Sequence, residues 1–179
     1  MMALGTKAPD FNLKDVVSGE TMDLNSVRGS NGTLVIFICN HCPYVHHVIE
    51  NFSEKAKEWI SKGIGVVAIS SNDVESYPED SPELMNEFAR DHRFSFPYLY
   101  DPSQEVARSY DAACTPDPYL FDPEDACVYR GQLDTSKPGN GIEVDSSIMD
   151  EAITRMLEGK EMIQNQVPSM GCNIKWKAS

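Results

Sequence analysis

Two cysteines separated by two residues, Cys39-Asn40-His41-Cys42, stand between an apolar run and a segment of helical periodicity. This junction constrains the fold more than any other feature of the chain. The run from Thr33 to Cys39 (TLVIFIC) is almost wholly apolar and rich in β-branched residues, as a strand buried on both faces of a sheet requires. Beyond the cysteines, Val45, Val48, Ile49, Phe52, Ala56 and Trp59 recur at three- and four-residue steps and make one apolar helical stripe, which Gly63 ends as a left-handed residue. Pro43 sets where that helix starts. Its ring is excluded from a helix interior but tolerated in the first turn, so the cysteine pair must lie at the helix N-terminus.

The same grammar repeats along the chain. Residues 65–70 (GVVAIS) read as a second buried strand, and Ser81-Pro82-Glu83 supplies an N-cap, a first-turn proline and early negative charge for a helix carrying Leu84, Met85 and Phe88. Asp101-Pro102 offers a similar start before a short helix through Val106, Ala107 and Tyr110. Residues 119–121 and 128–133 then read as a closing hairpin, and Ile148, Met149, Ala152, Ile153, Met156 and Leu157 as a last amphipathic helix ended by Gly159. Strands alternating with helices predict an α/β sheet with helices on its faces. At 179 residues, 41% of them hydrophobic, the chain suffices for one core and not for two ordinary domains. The expected division is a domain over 1–160 and a tail over 161–179, docked because Ile174 and Trp176 are costly to leave in water.

The chemistry follows from the spacing. Two thiols three positions apart can meet across a turn, closing a disulfide or facing one substrate together. A helix N-terminus carries about half a positive charge, which stabilises a nearby thiolate. Cys39, nearer the strand, is expected to be the nucleophile with a lowered pKa, and Cys42 the resolving thiol. His41 between them, when cationic, favours the thiolate further and makes the disulfide more oxidising. A zinc site drawn from Cys39, His41, Cys42, His46 and His47 is the rival use of these residues, but no second CxxC or matching histidine pair completes it, so no metal or cofactor is expected. Cys127 reads as a packing thiol. Cys114 and Cys172 stay open between structural and redox roles.

Charge narrows the partners. A net charge of −13 opposes phosphate backbones and anionic bilayers, so neither nucleic acid nor membrane is expected. No stretch approaches the roughly 18 apolar residues of a spanning helix, and the first ten residues lack a basic start followed by an apolar run. With five scattered cysteines, the expected setting is the reducing cytoplasm. The acidic stretch from Glu75 to Glu87 reads as solvated surface.

Three motifs in order carry a resemblance. The strand-CNHC-helix unit resembles the thioredoxin active site, Gly5 to Leu13 (GTKAPDFNL) resembles the N-terminal signature of the redoxin (AhpC/TSA) branch, and Thr115-Pro116 before residues 119–121 resembles the cis-proline loop and its following strand. The chain is most similar to a peroxiredoxin-like group with CxxC, ACTPD, YRG and a GCxIKW tail, here Cys39 to Cys42, Ala113 to Asp117, Tyr129 to Gly131 and Gly171 to Trp176. The resemblance implies a thioredoxin fold, a central mixed sheet flanked by helices, with a redoxin-type N-terminal β extension. It also implies redox-active Cys39 and Cys42 supported by Asn40, His41 and Pro43, and Pro116 cis beside them, with the Thr115 backbone open to an extended substrate. Two departures stand out. The peroxidase pattern Pro-x-x-x-Thr/Ser-x-x-Cys finds Val35 and Cys39 counted from Cys42, or Gly32 and Ile36 counted from Cys39, and the buried acid expected six residues before Cys39 is replaced by Thr33.

Three functional classes remain. The first is dithiol-disulfide exchange, with a disulfide-containing protein or small-molecule thiol as substrate and a cellular thiol reductant as electron partner. The second is a thiol peroxidase working through a sulfenic acid on one cysteine. The third is a non-catalytic metal-binding or interaction module.

Overall fold

The computed structural model describes residues 1–178. Its centre is a seven-stranded mixed sheet formed by β1 (Asn12–Asp15), β2 (Thr21–Asp23), β3 (Gly32–Phe37), β4 (Ile64–Ser70), β5 (Tyr98–Tyr100), β7 (Asp117–Phe121) and β8 (Cys127–Arg130), in the order β2-β1-β5-β4-β3-β7-β8. Two further strands, β6 (Cys114–Thr115) and β9 (Cys172–Asn173), pair with each other outside this sheet. The helices are α1 (Leu24–Val27), α2 (Pro43–Ser61), α3 (Pro82–Asp91), α4 (Glu105–Ser109) and α5 (Ser147–Leu157).

The apolar run forms the central strand. Strand β3 is parallel to β4 and antiparallel to β7, so both of its edges are satisfied and every residue in it is buried. Side-chain alternation divides the run between two cores. Leu34, Ile36 and Ile38 pack with α2, α3 and α5 on one face; Val35 and Phe37 pack with α1, α4 and Ile174 on the other. The β1–β2 hairpin extends the sheet past β5, supplying the N-terminal extension. A mixed sheet flanked by helices, with a crossover from β3 through α2 to β4, is the thioredoxin fold.

Local signals set most boundaries. Pro43 is the first residue of α2 and Cys42 its N-cap; Gly63 ends the turn at φ +85°. The Ser81 hydroxyl accepts the Leu84 amide at the start of α3. The Asp101-Pro102 signal behaves differently. Helix α4 starts after Gln104, which is left-handed, while Asp101 is fully buried and accepts the Ser71 hydroxyl and the Ala107 amide. Its carboxylate thus caps a first-turn amide of α4 from outside the N-cap position, and ties that turn to the end of β4 through Ser71.

The tail lies along the body. Strand β9 pairs antiparallel with β6, Thr115 opposite Cys172, and the Ile174 side chain is buried in the second core. Trp176 stays on the surface with the Arg108 guanidinium 4.3 Å over its ring, which offsets part of its exposure.

Candidate active site

Cys39, Asn40, His41 and Cys42 form the turn from β3 into α2. Cys39 and Cys42 are 1% and 0% exposed, so the reduced site is closed. Every polar group of Asn40 is engaged: its amide donates to Asp80 Oδ1 at 2.8 Å, its side-chain nitrogen to the Glu79 carbonyl at 3.0 Å, and its side-chain oxygen accepts the Tyr98 hydroxyl at 2.9 Å. Its carbonyl meets the His46 ring. The turn is therefore held rigidly from three directions.

The loop before β7 covers the pair from the other side. The Thr115–Pro116 peptide bond is cis. Thr115 Oγ1 lies 3.5 Å from Cys39 Sγ, and the Cys42 thiol meets the Thr115 carbonyl at 3.3 Å. Thus the sequence candidates Cys39, Asn40, His41, Cys42, Pro43, Thr115 and Pro116 come together. A small cleft lined by Tyr44, His47, Pro116, Leu133, Asp134 and Met170 opens beside them.

The site also contains an acid that sequence reasoning placed on the surface. Asp80, within the Glu75 to Glu87 stretch, is fully buried at the end of a short 3₁₀ turn (Pro78–Asp80) between two prolines. Asn72 donates to its Oδ2 at 2.8 Å, and His41 Nδ1 lies 2.6 Å from the same oxygen, without the alignment of a linear hydrogen bond. Tyr77 stacks on the His41 ring, with 5.6 Å between centroids and 5° between planes. Asp80 thus brings a buried carboxylate to the pair from α3's entry turn instead of from β3, where Thr33 stands.

The two thiols titrate as one unit. Their mutual hydrogen bond holds a proton on Cys39 and stabilises negative charge on Cys42; burial and the charge of Asp80 raise the Cys39 thiol further. Cys42 is lowered, first by Cys39 and then, against the cost of burial, by Cys172, Thr115 and the Val45 amide. This differs from the expectation of a lowered Cys39, and the reason is geometric. Cys39, Cys172, Thr115 and the Val45 amide favour negative charge on Cys42, whereas the charge of Asp80 opposes it on Cys39.

Of the remaining thiols, Cys172 joins the pair through Cys42. Cys114 turns its sulfur to Ser169 and the Pro116 carbonyl, and burial pushes it up to about 11. Cys127 is buried in β8 with burial raising it likewise to about 11, a packing environment. His46 and His47 lie along the first turn of α2, facing the Asn40 carbonyl and the Ser136 hydroxyl.

Cys39, His41 and Asp80 present ligand-type atoms within 4.8 Å of one another. Both Asp80 oxygens already accept hydrogen bonds from Asn40 and Asn72, so the carboxylate has partners without an ion.

Residues 4–130 match the AhpC/TSA family model. The chain belongs to the AhpC/TSA family. A solved structure of an uncharacterized conserved protein from Geobacillus kaustophilus is 50% identical with a TM-score of 0.98, covering 100% of this chain and 95% of that one. Peroxidoxin BcpB from Mycobacterium tuberculosis is 19% identical, TM-score 0.66, over 89% of this chain and 98% of that one. The thioredoxin domain of a thiol-disulfide oxidoreductase from Bacteroides vulgatus is 18% identical, TM-score 0.65, over 86% and 99%. At these two identities the likeness is one of fold. A comparison with curated protein sequences gives no match. The AhpC/TSA chain is thus a thioredoxin-fold redoxin, an oxidoreductase in the broad sense.

Proposed function

We propose that this redoxin is a thiol-disulfide oxidoreductase whose working couple is Cys39 and Cys42. One observation carries the reading: the two sulfurs lie together in the turn that starts α2, both against Thr115, Cys39 Sγ 3.5 Å from its hydroxyl and Cys42 Sγ 3.3 Å from its carbonyl. A substrate disulfide is attacked by Cys39, whose proton passes to Cys42. One substrate sulfur leaves as a thiolate, and a mixed disulfide forms on Cys39. Cys42, giving that proton to a departing substrate thiolate, then attacks the Cys39 sulfur, closing the Cys39–Cys42 bond and breaking the mixed disulfide to release the second substrate sulfur. The substrate is oxidant and the pair reductant; a cellular thiol completes the cycle, and the same steps run backward when the pair is the oxidant.

The peroxidase reading has less in its favour. Val35 and Ile36, where a peroxide pocket needs proline or a hydroxyl, are buried in the two cores. The test is to mix reduced protein with hydrogen peroxide and, separately, with insulin, and to follow formation of the Cys39–Cys42 bond. Faster oxidation by the protein disulfide supports exchange. Faster oxidation by peroxide, with Cys39→Ser and Cys42→Ser both retaining disulfide reduction, refutes it.

A further inference from the structure

The edge that the Thr115 loop offers to an extended substrate is occupied by the chain's own tail. Strand β9 pairs with β6 at Thr115, and the preceding Gly171 passes so close that a Cβ there would lie 1.9 Å from the Thr115 carbonyl oxygen. Glycine is what allows this approach. The tail is then fixed on the far side of the site: the Lys175 amide donates to Asn72 Oδ1 at 2.9 Å, its carbonyl accepts the Asp73 amide at 2.8 Å, and Gln104 bonds the same carbonyl at 2.9 Å. Asn72 is the residue that holds Asp80. The tail is therefore tied into the same network as the cysteine turn.

This docking places a third sulfur. Cys172 stands opposite Thr115 in the β6–β9 pair, the Thr115 carbonyl meets the Cys42 thiol at 3.3 Å, and Cys172 packs against the core cluster that holds both cysteines, so the third sulfur is brought to the Cys42 side of the site. Cys42 becomes the central sulfur, with Cys39 on one side and Cys172 on the other. Accessibility separates the two outer ones. Cys39 is buried, whereas Cys172 is half-buried on a surface strand of two residues.

We propose that Cys172 is a third redox thiol, which attacks Cys42 of the Cys39–Cys42 disulfide and carries the bond outward to a position that an external thiol reductant reaches. The proposal rests on the dithiol-disulfide reading above. In the step, the Cys172 proton leaves and its thiolate forms the Cys42–Cys172 bond, the Cys39–Cys42 bond breaks, and Cys39 departs as a thiolate that takes up a proton. Two sulfurs are oxidised before and after, so no further oxidant is needed. Oxidation itself prepares the attack. In the reduced site burial comes first, then the hydrogen bond and negative charge of Cys42, in holding the Cys172 proton; once Cys42 enters a disulfide its charge is gone.

The experiment uses the full chain as wild type, Cys39→Ser and Cys172→Ser. Each is reduced, freed of reductant, oxidised with one equivalent of diamide, quenched in acid, alkylated and mapped by mass spectrometry. The expected products are a Cys42–Cys172 bond in Cys39→Ser, a Cys39–Cys42 bond alone in Cys172→Ser, and both in wild type. Reduction of the oxidised protein by glutathione should be slower in Cys172→Ser by about tenfold. A Cys39→Ser protein with Cys172 fully alkylated, or equal glutathione rates for wild type and Cys172→Ser, overturns the role of Cys172. A folded Cys172→Ser protein that forms no Cys39–Cys42 bond overturns the underlying dithiol reading instead, and the two failures are thereby told apart.

Discussion

His41 Nδ1 lies 2.6 Å from Asp80 Oδ2, and the Asp80 side chain is fully buried. The contact puts opposite charges on either side of one balance. A cationic histidine favours a thiolate at Cys39, while the carboxylate opposes it. Because His41 faces Asp80, the histidine acts on the cysteines partly by offsetting the acid.

The first prediction tests the acid. Asp80→Asn keeps the shape of the side chain and an oxygen for the Asn40 amide but removes the charge that raises Cys39. The ultraviolet absorbance of the thiolate, followed against pH, should show the pair ionising at lower pH than in wild type. One hydrogen bond, from Asn72, loses its acceptor if the new amide nitrogen faces it, so a stability cost of about 1–3 kcal/mol accompanies the change. Unaltered or higher ionisation would remove Asp80 from the account.

A second prediction concerns potential. His41 in the third position of the motif should make the couple more oxidising than thioredoxin's roughly −270 mV. His41→Ala leaves Asp80 uncompensated, destabilises the reduced form and should lower the potential by on the order of 30 mV, the equivalent of a tenfold change in the exchange constant. Combined with Asp80→Asn, most of that loss should vanish, since the two residues are in contact and their effects are not additive. Glutathione titrations of the four proteins give the cycle. Strictly additive shifts would mean that histidine and acid act independently.

These two residues also mark where sequence reading reaches its limit. The strand at residues 33–39, the helix begun by Pro43 and ended at Gly63, and the Cys39–Cys42 turn were legible because each depends on neighbours within a few positions. The burial of Asp80 does not. Its charge is tolerated only because Asn40, Asn72 and His41, from two other parts of the chain, converge on it. In an acidic stretch nothing local distinguishes it from Glu79 or Glu83, apart from Pro78 and Pro82 on either side of its turn. The proton balance between Cys39 and Cys42 was hidden for the same reason. Helix position alone favours a thiolate at either sulfur, and the choice is made by Asp80, Thr115 and Cys172, all distant in sequence.

The third prediction is a pH dependence. A reduced pair that already holds one thiolate near neutral pH takes up one proton for two electrons, not two protons. The sign follows: as pH rises, loss of protons disfavours reduction, so the potential falls, but by about 30 mV per pH unit where one proton is taken up and about 59 mV where two are. Because Cys42 is lowered below the ordinary thiol value and Cys39 raised above it, the shallower slope should hold across neutral pH and steepen only in acid. Redox titrations at several pH values measure it. A slope near 59 mV through neutrality would show that the pair carries both protons there.

The last prediction addresses the docked tail through Gly171. Its backbone lies against Thr115, and a side chain there would put Cβ 1.9 Å from the Thr115 carbonyl oxygen and 3.2 Å from the Pro116 nitrogen. The first separation is far below van der Waals contact and the obstacle is backbone, not the movable end of a side chain. In Gly171→Ala either the loop or the tail must shift. The loop is held by β7 on one side and by both cysteines, whereas the tail is retained by the two paired residues of β9, the burial of Ile174 and the Lys175 hydrogen bonds to Asn72, Asp73 and Gln104. Burying an isoleucine contributes about 1.5–3 kcal/mol and each of these hydrogen bonds about 0.5–1.5 net, whereas moving the loop would break the central sheet, so it is the tail around Cys172 that should leave. The central sheet makes no use of β9 and should stay folded, but forfeiting the burial of Ile174, about 1.5–3 kcal/mol, should lower its unfolding transition by roughly 3–12 °C. Cys172 should then alkylate at the rate of a free thiol, and proteolysis should cut after Lys175. If Cys172 stays as protected in Gly171→Ala as in wild type, the close approach at Thr115 is not what holds the tail over the cysteine pair.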